Sequence, residues 1–207
     1  MNMFASVCAA SIAMVLAFAT VPAHATSFPV SGTITVGGNS GALPSGGTFG
    51  NSTYDAATGQ LSTGHFTFPA STVSASTPVG PAVIHYLLSQ TDTSTGQVAS
   101  DGVAALTTAT LRLEVTSVTV QGFPFPVGTC RFAPIEVDLA GSGSSASLEV
   151  EDMDFTIPPV ASSDCGGNGD TINSAIASGS NSMRLSFSGD FTPPADNDKI
   201  FIDGFDA

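Results

Sequence analysis

Tryptophan is absent from this chain, tyrosine occurs twice, and lysine and arginine together number only four. Each shortage closes off a class of function. Carbohydrate clefts stack sugar rings on tryptophan and tyrosine, so their scarcity argues against a lectin or a glycosidase. Four cations against 17 acids leave a formal net charge of −13. Such a surface repels phosphate backbones and anionic head groups, which excludes nucleic acid as a partner. Catalytic signatures are missing too: there is no GxSxG elbow, no HExxH pair, no P-loop and no GxGxxG opening a helix. Past residue 25 the only histidines are His65 and His85, each within a strand-like segment and without a second histidine at ligand spacing. Helical periodicity is nearly absent as well. One short turn at Ile172, Ala175 and Ile176, with Thr171 as its cap, is the exception.

The N-terminal stretch, by contrast, is informative. An apolar run from Phe4 to Phe18 is followed by Pro22 and by Ala23-His24-Ala25, which puts small residues where a signal peptidase requires them. Residues 1–25 therefore read as a secretory signal peptide, although no Lys or Arg precedes the apolar run. The run is too short for a bilayer span of ~20 residues, so no membrane span is expected after cleavage. Of three cysteines, Cys8 leaves with the signal, and Cys130 and Cys165 remain. An even pair in an oxidising compartment predicts one disulfide, and the lack of CxxC spacing argues against a redox or metal pair. Closing a loop of that length stabilises a fold by about 3–4 kcal/mol in the chain-entropy description.

Residues 26–192 read as one all-β domain. Apolar residues make up 42% of the chain and include 14 Phe, which is not the composition of disorder. Val30, Ile34 and Val36 alternate with Ser31, Thr33 and Thr35. The same period of two runs through Phe66 and Phe68, Leu111 to Val115, Ile135 to Leu139 and Met183 to Phe187. Each is the pattern of an antiparallel strand with one buried face. Val83 to Leu88 is apolar at both parities and predicts a strand covered on both faces. The hexapeptide D-x-x-T-G-Q occurs twice, as Asp55–Gln60 and Asp92–Gln97, and each copy predicts a hairpin turn. The first would join the Tyr54 strand to Leu61–Phe68, and the second would pair Ala82–Gln90 with Gln97–Leu106. About nine strands without helices predict an antiparallel β-sandwich of jelly-roll or Greek-key type in preference to a barrel.

Carboxylates are the richest chemical resource. Leu148 and Val150 share one parity, whereas Met153, Phe155 and Ile157 share the other. A bulge at Glu151-Asp152 would reconcile them and gather Glu149, Glu151, Asp152 and Asp154 on one solvent face, a candidate Ca²⁺ site. Phe123-Pro124-Phe125-Pro126 reads as a rigid apolar crossing held by the disulfide, and Asp164–Asp170 reads as a glycine-rich loop.

Residues 193–207 read as a linker and C-terminal tail. The ending Lys199-Ile200-Phe201-Ile202-Asp203-Gly204-Phe205-Asp206-Ala207 resembles the I-F-x-D-G-F-E tail of many exported proteins of Gram-negative bacteria. Ile200, Phe201, Asp203, Gly204 and Phe205 match, and Asp206 stands where Glu is usual. The body is similar to uncharacterised secreted bacterial β-proteins. The resemblance implies an exported bacterial protein with a tail read during sorting, and a last edge strand at Ile200–Ile202 is the structural alternative. The expectation is a non-catalytic envelope or extracellular module, and its rival is a secreted carboxylate-dependent hydrolase such as a glycosidase.

Overall fold

The computed structural model describes residues 26–77 and 80–195. In chain order the strands are β1 (Thr26–Val36), β2 (Asn39–Ala42), β3 (Gly47–Ser52), β4 (Tyr54–Asp55), β5 (Gln60–Thr67), β6 (Ser71–Thr77) and β7 (Gly80–Gln90). There follow β8 (Ser94–Val98), β9 (Val103–Leu106), β10 (Ala109–Val120), β11 (Phe123–Phe125), β12 (Cys130–Val137), β13 (Ala140–Gly143) and β14 (Ser147–Asp152). Helices α1 (Asp164–Gly167) and α2 (Gly169–Ile176) precede the last described strand, β15 (Ser182–Ser188).

The fold is all-β and antiparallel, as expected, but the strands close a ring. Pairing runs β5-β3-β1-β15-β14-β13-β9-β8, and β8 returns to β5. The result is an eight-stranded barrel where a sandwich was expected. A second sheet of β6, β7, β10 and β12 branches from β5 through the Thr67–Ser89 pair, with β11 on the edge of β10. The sandwich expectation failed because β8 leaves β7. Ala82–Gln90 pairs with β6 and β10, while β8 pairs with β5 and β9.

Within the barrel, alternation decides which residues face the core. Val30, Ile34, Val36, Leu148, Val150, Met183, Leu185 and Phe187 are buried, while Ser31, Ser62, Glu149, Glu151 and Arg184 are exposed. A barrel in lipid has the opposite polarity, apolar outside and polar within. Phe49 of β3, Phe66 of β5 and Phe187 of β15 meet with ring centroids 4.8–5.7 Å apart. Because β5 and β15 stand three places apart in the ring, these aromatics fill the lumen.

The side sheet buries one face only. Ala82, Ile84, Tyr86 and Leu88 of β7 point inward, but Val83 and Leu87 are 38% and 42% exposed. Among the described residues, the expected double-sided cover over β7 is therefore absent. The disulfide is formed between Cys130 and Cys165, both fully buried, and ties β12 to α1. The expected glycine-rich loop contains α1 and the start of α2. Helix α2 begins two residues before Thr171, after Asn168, whose amide donates to the Pro126 carbonyl at 2.9 Å. Ile172, Ala175 and Ile176 are its buried face, as their spacing predicts. Phe123–Phe125 forms a short edge strand in place of a crossing loop, with Phe123 left 74% exposed.

Candidate functional site

The β14–β15 ladder stays in register from Ser147↔Ser188 to Asp152↔Met183, without the expected bulge. Glu149 and Glu151 therefore sit on the outer face of the barrel, opposite Ser186 and Arg184. The Ser186 hydroxyl donates to Glu149 Oε1 at 2.6 Å, and Arg184 Nε lies 2.8 Å from Glu151 Oε2. The parity change arises where the chain leaves the sheet. Asp152 Oδ1 accepts the Asp154 N–H at 2.9 Å, turning the backbone, and its Oδ2 accepts the Asp138 N–H at 2.8 Å. The four acids thus separate into two pairs, Glu149 with Glu151 and Asp152 with Asp154.

Asp152 and Asp154 face different company. They line a surface groove of about 510 Å³ with Glu136, Asp138, Pro134, Phe155, Thr156 and Pro158. Ala140 pairs with Glu151, so the residues just before β13 continue alongside the end of β14. Asp138 reaches Asp152 for that reason, and the Thr108 hydroxyl donates to the Asp138 carboxylate. Glu136 and Asp138 are the residues that sequence reasoning missed as site members. Their alternation with Ile135, Val137 and Leu139 places them on a polar face, but only the β13–β14 register brings that face to Asp152.

A groove with four carboxylates favours cationic groups. Among the described residues, no three His, Cys, Asp or Glu side chains are grouped so as to hold a metal ion. The set proposed for Ca²⁺ is split because a regular ladder, rather than a bulge, carries Glu149 and Glu151 outward.

The histidines take separate positions. His65 Nε2 lies 3.0 Å from the Gln90 carbonyl oxygen, beside a buried polar group. There Gln90 Oε1 accepts the Phe66 N–H at 2.6 Å, and its amide donates to Ser94 Oγ at 2.8 Å. His85 lies on the side sheet, paired with Thr72 and Ser117. The signal segment 1–25 and the tail residues Ile200, Phe201, Asp203, Gly204 and Phe205 lie outside the described residues. No family model, curated protein or solved structure matches this chain.

Proposed function

We infer that this chain is an exported, non-catalytic module of the cell envelope or extracellular space, acting by binding or structural contact at its outer surface. The filled barrel carries this reading. Phe49, Phe66 and Phe187 occupy the lumen where a ligand-carrying barrel keeps its cavity, so contacts belong to the exterior. The polar outer face suits an aqueous compartment, and the Cys130–Cys165 disulfide suits an oxidising one. No described helix is long and apolar enough to cross a membrane. The Ala23-His24-Ala25 leader and the Ile200–Phe205 tail supply the export and sorting signals of the same reading. On the exterior, the groove of Glu136, Asp138, Asp152 and Asp154 is the surface that favours a cationic partner.

Expression of the full chain in a Gram-negative host tests this. Intact mass of protein from the periplasm or medium should begin at Thr26 and carry no free thiol. A retained Met1 with Cys130 and Cys165 both alkylated without prior reduction would contradict it.

One observation favours the hydrolase reading: the same groove gathers carboxylates that could divide general-acid and general-base roles. Incubation with a panel of chromogenic glycosides and esters should give no turnover above buffer. Turnover abolished by both Asp152→Asn and Glu136→Gln would replace the module with the hydrolase.

A further inference from the structure

Between β14 and β15 the chain leaves the barrel and lies across the inner face of the side sheet. Residues 158–180 carry α1 and α2 there. Ile172 and Ala175 of α2 face Ile84, Val118 and Phe125 around an apolar cavity of about 20 Å³. Cys165, Gly169, Ile172, Ala175 and Ile176 are the buried residues of the segment, and the two isoleucines are its large buried aliphatic side chains. Their burial is small against the entropy of ordering so long a segment. A helix of eight residues does not persist by itself either.

The ties from the two helices to the sheet gather at one point. Cys165 is bonded to Cys130 of β12, and both are fully buried. Beside them the Cys165 N–H donates to the Thr129 carbonyl at 3.2 Å, and the Asn168 amide donates to the Pro126 carbonyl at 2.9 Å. Asn173 instead exchanges hydrogen bonds with the Val160 backbone, bracing the segment internally. The backbone through Cys165, Gly166 and Gly167 is left-handed, with φ of 54°, 68° and 82°. Glycine adopts this freely, whereas at Cys165 it persists only where the surroundings impose it. The stem of the segment is fixed separately. Asn181 Oδ1 accepts the Gly37 N–H at 2.9 Å, and the Asn181 amide donates to the Phe155 carbonyl at 3.2 Å. Pro158-Pro159 and Gly179 stand between that stem and the helices.

We propose that residues 158–180 form a redox-latched lid, closed on the inner face of the side sheet when Cys130 and Cys165 are bonded and open when they are reduced, with the barrel folded in both states. The lid turns about Pro158-Pro159 and Gly179, and opening it bares Ile84, Val118 and Phe125. Both sulfurs are buried under the closed lid, so the bond forms while the lid is open. An external disulfide is the oxidant. One cysteine thiolate attacks it, forming a mixed disulfide and releasing one thiolate; the second cysteine thiolate displaces the other. Two protein thiols thus become one disulfide, and the external disulfide becomes two thiols. The latch belongs to the fold and does not depend on the compartment in which the chain resides.

The test compares amide hydrogen exchange in three samples: oxidised protein, protein reduced in urea and diluted back into buffer with reductant, and the paired variant Cys130→Ser with Cys165→Ser. In the oxidised protein Ile172, Ile176 and Ala177 should be protected. In the other two samples these amides should exchange within about tenfold of an unfolded chain, while Gly96 and Leu185 of the barrel stay protected at least about a hundredfold. Iodoacetamide should alkylate both thiols of the reduced wild-type chain in buffer within about tenfold of the rate in urea. Three results would each overturn the proposal: lid amides still protected about a hundredfold after reduction, thiols shielded from alkylation in buffer, or barrel amides losing their protection together with the lid.

Discussion

Asp55–Gln60 and Asp92–Gln97 share the pattern D-x-x-T-G-Q, yet they fold differently. In the first copy Asp55 closes its own turn. Its carboxylate accepts the Ala57 N–H and the Thr58 hydroxyl, each at 2.9 Å, and its carbonyl accepts the Gly59 N–H at 2.7 Å. Gly59 adopts φ 71°, and Asp55 pairs with Gln60 in a hairpin. In the second copy Asp92 reaches away from its own segment. Its carboxylate accepts the Thr110 N–H at 3.1 Å and the Thr110 hydroxyl at 2.8 Å, across 18 residues. Gly96 is a strand residue paired with Leu61 and Leu106. The copies then meet: Gln97 pairs with Gln60, its amide donates to the Thr58 carbonyl at 2.7 Å, and the Val98 N–H donates to the Gly59 carbonyl at 2.8 Å. A turn motif makes a turn only where its polar side chain has no better distant partner. Here the second copy carries the chain out of the side sheet and closes the barrel on the first.

The contrast can be calibrated and then broken by substitution. The largest single loss expected is outside both copies. The paired change Cys130→Ser with Cys165→Ser should lower unfolding free energy by about 3–4 kcal/mol, measured in urea. Far from either hexapeptide, it should leave the differences below unchanged. Next comes Gly59→Ala. A Cβ there would lie 2.0 Å from the Val98 carbonyl oxygen, at a left-handed backbone. A loss of about 2–4 kcal/mol is expected. Gly96→Ala meets the Leu61 side chain at 3.3 Å and the Ala105 carbonyl oxygen at 3.4 Å, without a left-handed backbone, and should cost about 1 kcal/mol or less. Equal losses at the two glycines would mean that the copies share one conformation.

Gln90, 5% exposed and just ahead of the second copy, tests the seam itself. Gln90→Leu leaves the Phe66 N–H without its acceptor and should cost about 1–3 kcal/mol. Smaller effects follow from pH. The Ala57 N–H and then the Thr58 hydroxyl hold the Asp55 carboxyl below its usual range. Desolvation raises that of Asp92, but the bonds from Thr110 and others outweigh it, and the net shift is also downward. Groups with lowered folded-state values stabilise above the unfolded aspartate value of about 4 and lose that contribution as pH falls through the folded value. Asp55→Asn and Asp92→Asn should each flatten this acid limb of the stability profile. Only Asp92→Asn should also increase amide exchange at Thr110. The smallest effect expected is none: melting curves in millimolar Ca²⁺ and in EDTA should coincide, since Glu149 and Glu151 point away from Asp152 and Asp154 and no three acids among the described residues, those of the groove included, are grouped to hold a metal ion.

Strand parity was legible in the sequence. Val30, Phe66, Leu111, Ile135 and Met183 are all buried with their period-two neighbours, because alternation reports directly which face meets the core. The disulfide was legible from its compartment and count. Pairing was less so. Asp55 and Asp92 look alike in sequence, and only the position of Thr110 separates them. The bulge at Glu151-Asp152 was inferred from a parity change that the structure achieves by ending the strand. The acidic groove was half visible: Asp152 and Asp154 stood out as a run, whereas Glu136 and Asp138 join them only through the β13–β14 register. Val83 and Leu87 looked like core because apolar residues at both parities carry no sign of which face stays bare.

Barrel closure between β5 and β8 is tested most directly by cross-strand proton contacts in a nuclear Overhauser spectrum of the oxidised protein. Contacts linking Gln60 with Gln97 and Leu61 with Gly96 are expected, alongside contacts of Leu111–Val115 with Tyr86–Gln90. Contacts running instead between Ala82–Gln90 and Gln97–Leu106 would restore the second hairpin, open the ring and contradict the barrel.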